Sequence, residues 1–112
     1  MKSKFGVLFM EEAREFLLKV DDKARAKIIF NLDRARLHND KELFKKLTGE
    51  IWEFRTLFNR THYRLFAFWD KTSKQETLVI AAHGIIKKTE KTPEKEIVKA
   101  ESLRMKYFKL KK

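Results

Sequence analysis

Two arginines and a glutamate within one stretch, Glu50 to Trp69 (EIWEFRTLFNRTHYRLFAFW), have the types and spacing to hold a phosphate. A guanidinium fork pairs two oxygens at once and keeps its charge at any working pH. Read as a β-hairpin, the stretch alternates at period 2, sending Trp52, Phe54 and Phe58 to one side of its first strand and Glu53, Arg55 and Leu57 to the other. Whether the loop is Asn59-Arg60 alone or runs from Asn59 to His62, opposed residues differ in parity, so Arg55 and Arg64 share a face in either register. Tyr63, Leu65, Ala67 and Trp69 join Trp52 on an almost wholly apolar face, which predicts cover by helices. Glu53, Arg55, Arg64, Phe66 and Phe68 fall on the more open side, where both arginines are expected to be exposed. Like charges across a sheet repel, and Glu53 compensates only in part, so an external anion would complete the site. The same pattern also suits two solvated arginines whose stems cover aromatic neighbours.

Other groups with chemical potential are scattered. Glu53 shares the arginine face and has the type of a general base, though a carboxylate there is also an ordinary ion-pair partner. His83 lies in an apolar run, where a satisfied core histidine is the commoner outcome than an acid or base. His38 and His62 fall in expected turns, and three histidines so dispersed, with no cysteine, predict no metal site. The glycines at 6, 49 and 84 build neither a Walker nor a dinucleotide pattern, so no cofactor is expected.

These residues must be positioned by one small domain, 1–112, long enough for a single core. Hydrophobic residues at 43% and charged residues at 38% fit a folded protein rather than a disordered one. Lys and Arg number 27 against 16 Asp and Glu, a formal charge of +11 that favours a polyanionic partner, nucleic acid first. The absence of cysteine and the short apolar run at the N-terminus, broken at Glu11, point to a cytoplasmic location with no membrane association.

Along the chain, Phe5, Val7 and Phe9 read as a short strand with two apolar faces, expected inside the sheet. Met10, Ala13, Phe16, Leu17 and Val20 have the spacing of an amphipathic helix. Asp21 or Asp22 caps a second helix with Ala24, Ile28, Leu32 and Ala35 on its buried stripe, so the two form a helical hairpin. Leu37 to Asp40 end it, and Lys41 to Gly49 read as a polar connection anchored by Phe44 and Leu47. After the β-hairpin, Asp70 to Gln75 read as a turn and Thr77 to Ile86 as a central strand. Thr92 and Pro93 mark the start of a last helix, on which Ile97, Val98, Met105 and Phe108 form a docking stripe. The final KLKK reads as a frayed tail. The expected class is α/β, in the order β-α-α-β-β-β-α, with the helical hairpin on one sheet face and a C-terminal helix.

The stretches LFKKLTGEIWEFR and YRLFAFW, and above all LVIAAHGIIKKTEKTPEKEIVKA with its strand, glycine, lysine pair, Thr-Pro and alanine, resemble the RelE/ParE superfamily of type II toxins, closest to its HigB-like, phage-associated branch. That resemblance spans nearly the whole chain. It implies a small α/β fold and, for RelE-like members, cleavage of mRNA on the translating ribosome by attack of a ribose 2′-OH on its neighbouring phosphate, without a metal. Such a reaction needs charge stabilisation on the phosphorane and two proton transfers. Arg55 and Arg64 match basic strand positions of RelE-like nucleases, and Lys87 and Lys88 follow a strand where the family supplies another basic group. Tyr107 resembles the family's C-terminal tyrosine, here within a helix. Lys45, Lys46 and Lys91 would strengthen contact with RNA. The implied partners are a cognate antitoxin, often of helix-turn-helix type, the ribosome and mRNA. Two other readings fit the same fold and charge: a ParE-like DNA gyrase inhibitor, and a regulatory module that binds nucleic acid without cutting it.

Overall fold

In a computed structural model, which describes residues 5–72 and 78–111, eight elements follow one another. They are β1 (Gly6–Phe9), α1 (Glu11–Lys19), α2 (Asp22–His38), β2 (Phe44–Thr48), β3 (Ile51–Phe58), β4 (Thr61–Asp70), β5 (Leu78–Lys87) and α3 (Glu94–Leu110). The five strands form one sheet in the order β1-β5-β4-β3-β2, with β1 parallel to β5 and the other pairs antiparallel. The class is α/β, as the sequence implies, with one strand more than expected. The stretch Lys41 to Gly49 is not merely a connection, because Phe44 to Thr48 pair with β3 as an edge strand. Phe44 is buried and stacks on Phe54, while Lys45 and Lys46 are exposed, a pattern too short and too charged to announce a strand.

The β3–β4 hairpin turns through Asn59 and Arg60, both at positive φ (52° and 62°), the two-residue turn whose twist matches that of the strands. Arg55 therefore lies directly opposite Arg64, and Glu53 opposite Phe66. Trp52, Phe54, Leu65 and Trp69 lie beneath the helical hairpin, in one core with Ala13, Leu17, Ala24, Ile28, Leu32 and Ala35. Asp21 supplies the cap of α2, its Oδ1 accepting from the backbone N–H groups of Lys23 and Ala24 at 2.9 and 3.0 Å. Gly84 lets α1 approach the sheet, since a Cβ there would stand 2.4 Å from the Phe16 ring. One polar link crosses this core, from Asn31 Nδ2 on α2 to Thr56 Oγ1 on β3 at 3.1 Å.

The opposite sheet face is not open. α3 covers it, packing Ala100, Leu103, Ile97, Tyr107 and Phe108 on Ile51, Phe66, Phe68, Ile80 and Ala82 in a second core. The molecule is thus three layers, helical hairpin, sheet and helix. The buried stripe of α3 centres on Ala100, leaving Val98 and Met105 exposed, so the stripe expected through those two residues was rotated. Small Ala100 carries little hydrophobic signal but permits the close approach. Pro93 precedes the helix without a side-chain cap, and the hydroxyl of Thr92 goes instead to Glu53.

Two further placements differ from expectation. β1 is an edge strand, apolar on both faces although Leu8 is exposed; β5 is the interior strand that the run before Ile86 predicted. Lys109 and Leu110 of the expected frayed tail belong to α3, which runs to Leu110, and Lys111 is tied to Asp70. Residues 73–75 of the turn expected over Asp70 to Gln75, together with Thr77 and Lys112, lie outside the described residues.

Candidate functional site

Glu53 is the centre of the charged cluster. It is buried at 4% exposure, and its Oε1 stands 3.2 Å from Arg64 Nε while also accepting from the Thr92 hydroxyl at 3.2 Å. Its Oε2 lies 3.7 Å from Arg55 Nε. Arg64 Nε points off the line to that carboxylate and makes no aligned hydrogen bond, so the contact is an ion pair held by charge. Arg64 Nη2 donates to the backbone carbonyl of Glu90 at 3.2 Å. The same carbonyl accepts from Lys87 Nζ at 2.9 Å, and the Glu90 carboxylate reaches Arg55 Nη2 at 3.8 Å.

The connection between β5 and α3 thereby roofs the arginine end of the face that α3 leaves uncovered. Arg64 is only 1% exposed, which corrects the expectation of an exposed arginine, whereas Arg55 keeps part of its side chain open. Burial is the main cause that holds the Arg64 guanidinium below its ordinary value, with Glu53 opposing it. It stays charged all the same, since no guanidine titrates near neutral pH. Burial also lowers the Lys87 ammonium, with the nearby Arg64 adding to the effect.

A groove of about 520 Å³ opens beside this cluster, lined by Lys45, Lys46, Leu47, Glu53, Arg55, Glu90 and Lys91. Four cationic side chains thus face two carboxylates, one of which is buried in ion pairs. The three lysines singled out for RNA contact, Lys45, Lys46 and Lys91, all border it. A smaller pocket of about 220 Å³ adjoins it through Arg55 and Glu90 and adds Arg64, His62, Leu57 and Glu42.

His62, expected in a turn, lies in β4 because the loop has only two residues, between Leu57 and Lys87 and on the parity of Arg64. The two-residue loop Asn59-Arg60, one of the two that the sequence allows, is the signal that locates it. Lys88 is not brought to the cluster, its Nζ reaching Thr61 Oγ1 at 3.3 Å.

Tyr107 is also elsewhere. Its hydroxyl donates to Asp70 Oδ2 at 2.6 Å, at the far end of β4 and six residues, about 20 Å, from Arg64 at the usual strand rise. Lys111 Nζ shares that oxygen at 2.8 Å, and the Thr72 hydroxyl bonds Oδ1 at 2.6 Å. Burial alone would raise the Asp70 carboxyl, but the bonds from Lys111, Thr72 and Tyr107 outweigh it and hold the group well below the usual carboxylate range. Burial and the Asp70 contact raise the Tyr107 hydroxyl. Tyr107, the tyrosine that resembles the family's C-terminal one, is here an anchor of α3 and stands apart from the arginine cluster.

His83 stacks on Phe66, with centroids 4.8 Å apart, and lies 3.1 Å from Glu96 through Nε2. Burial lowers its basicity, with the Glu96 hydrogen bond opposing, and among the described residues Nδ1 has no hydrogen-bond partner, so His83 acts as a core histidine linking α3 to the sheet. Among the described residues no group of three or more potential ligands could hold a metal ion, and no helix is long and apolar enough to cross a membrane.

The family described as phage-derived protein Gp49-like (DUF891) matches residues 15–105. Among solved structures, a chain of the toxin–antitoxin complex RelBE2 from Mycobacterium tuberculosis is similar in fold, with 21% identity and a TM-score of 0.54. The match covers 75% of this chain and 99% of that one. No curated protein matches the sequence.

Proposed function

Because the chain belongs to the Gp49-like family of phage-derived proteins, a RelE-like toxin family, we propose that it is a toxin that cleaves mRNA on the ribosome and is neutralised by a cognate antitoxin. The observation that carries this reading is the convergence of Arg55, Lys45, Lys46 and Lys91 on one groove, above the buried Glu53–Arg64 pair.

In that reading the substrate phosphate meets Arg55, the arginine with an open side chain, while Lys45, Lys46 and Lys91 hold the flanking backbone. Arg64 acts from beneath, fixing Glu53 and, through it, Arg55. Lys87 adds positive potential and holds the roof by its bond to Glu90. Attack of the ribose 2′-OH forms a new bond to phosphorus and releases the 5′ oxygen, leaving a cyclic phosphate. One proton leaves the 2′-OH and another reaches the departing oxygen. Glu53 is held in ion pairs with Arg64 and Arg55 and accepts from Thr92, and Tyr107 donates to Asp70. His62, beside Arg64 in the smaller pocket, is the imidazole placed to exchange a proton with the reacting groups.

The test is expression of the chain under tight control, with mRNA 5′ ends mapped and plasmid supercoiling followed in the same cells. New ends clustered at codons are expected, and Arg55→Ala should lower cleavage by about 10² or more, the loss usual for a single charge-stabilising donor. Gyrase-dependent DNA breaks without new mRNA ends would replace this reading with that of a gyrase inhibitor.

A further inference from the structure

A further cavity lies on the other side of the β2 edge. It measures about 360 Å³ and is lined by Asn39, Lys41, Phe44, Lys45, Lys46 and Trp52. Three of those residues are lysines and none is a carboxylate. We propose that this cavity is a nucleobase subsite, in which a base of single-stranded RNA stacks on Trp52 while the lysines hold its phosphates. The proposal rests on the reading of the chain as an RNA-acting toxin.

Trp52 is suited to the task by how it is held. Phe44 stacks against it with centroids 4.8 Å apart and planes 25° from parallel, and Trp69 meets it edge-on at 5.9 Å. The indole is fixed on those sides yet remains only half-buried, at the rim of the first core. A rigid aromatic with an accessible part costs little ordering when a base stacks on it, and every base offers a π-face.

Register connects this cavity to the arginine groove. Lys45 pairs with Glu53 and Lys46 with Trp52, so these neighbouring lysines address opposite faces of an edge strand, and both border both cavities. Trp52 lies three residues from Arg55 along β3, about 10 Å at the usual rise. One strand of RNA passing over the β2 edge would occupy both sites. The cationic lining excludes a cationic ligand and favours phosphates over an apolar partner.

The test uses the two tryptophans of the chain, Trp52 and Trp69. In Trp69→Phe, Trp52 is the one tryptophan left, and excitation near the red edge of the indole band selects it over the two tyrosines. This variant is titrated with a short 2′-O-methyl oligoribonucleotide, which the proposed 2′-OH chemistry cannot cut, and binding is followed separately by anisotropy of a labelled copy. Saturable quenching that tracks the anisotropy is expected. Trp52→Leu, which keeps an apolar side chain but no π-face, should weaken binding about tenfold, with circular dichroism confirming the fold. An oligomer of equal length and charge lacking its bases should bind the unsubstituted protein as weakly.

Binding without quenching, or equal affinity for the oligomer lacking bases, would overturn the subsite. So would equal quenching by polyglutamate, which would point to an acidic protein instead. The functional reading fails separately: absence of mRNA cleavage in cells would remove it even if quenching is seen, and cleavage that persists with unchanged affinity in Trp52→Leu would remove only the subsite.

Discussion

Glu53→Gln should destabilise the protein far more than the loss of a surface charge would. The carboxylate is 4% exposed and Arg64, 3.2 Å away, is 1% exposed, so the neutral amide strands a guanidinium where water cannot solvate it. Removing one partner of a buried pair typically costs about 3–5 kcal/mol. Arg64 would keep the Glu90 carbonyl at 3.2 Å, and Arg55 would still repel it from across the sheet, which places the expected loss at about 3 kcal/mol or above. A domain of this size has about 5–15 kcal/mol in all, so the variant should fold but with a urea midpoint lower by about 1.5 M, for a slope near 2 kcal/mol/M. The decisive measurement is a double-mutant cycle with Arg64→Met. The double variant should recover much of the loss, because two apolar or neutral groups replace a charge left unpaired, and the coupling should be on the order of 2 kcal/mol. A single-variant loss under about 1 kcal/mol, or coupling near zero, would show that water screens the pair and that the site is not buried as described.

Glu90→Ala removes an exposed carboxylate that stands 3.8 Å from Arg55 but leaves the backbone carbonyl bound by Arg64 and Lys87. Stability should change by less than about 1 kcal/mol, while affinity for the uncleavable oligoribonucleotide rises several-fold at low salt, an increase that high salt should erase. Weaker binding would count against the groove as the phosphate site. Asp70 has a folded value depressed below its unfolded value near 4, so its contribution is complete above that pH and is lost as pH falls toward the folded value. Urea midpoints followed from about pH 6 to about pH 2 should therefore decline less steeply in Asp70→Asn than in the unsubstituted protein, although the variant starts lower. Parallel declines would mean that Asp70 does not carry the acid sensitivity.

The parity of the β3–β4 hairpin was legible because period 2 leaves no freedom once the loop has an even number of residues, so Arg55 and Arg64 share a face as expected. The stripe of α2 was legible for the corresponding reason at period 3.6, and Asp21 marks its start by a side chain that can accept from the first turn. What alternation cannot say is what lies above a face. Ala100, the residue that brings α3 onto Phe66 and Phe68, has no hydrophobic bulk to advertise it, and Val98 and Met105 are apolar without being buried. Arg64 is hidden by the main-chain carbonyl of Glu90, a group that every residue possesses, so no sequence pattern could have located the roof. Tyr107 carried a signal from resemblance, yet its position was decided by Asp70, a residue 37 positions earlier that a sequence reading leaves in a turn. The site is therefore divided between the two kinds of information: charges on one strand face follow from local spacing, while which of them meets solvent follows from the docking of α3 and of the connection that precedes it. Arg55 remains accessible and Arg64 does not, though both have the same side chain and stand directly opposite in one register.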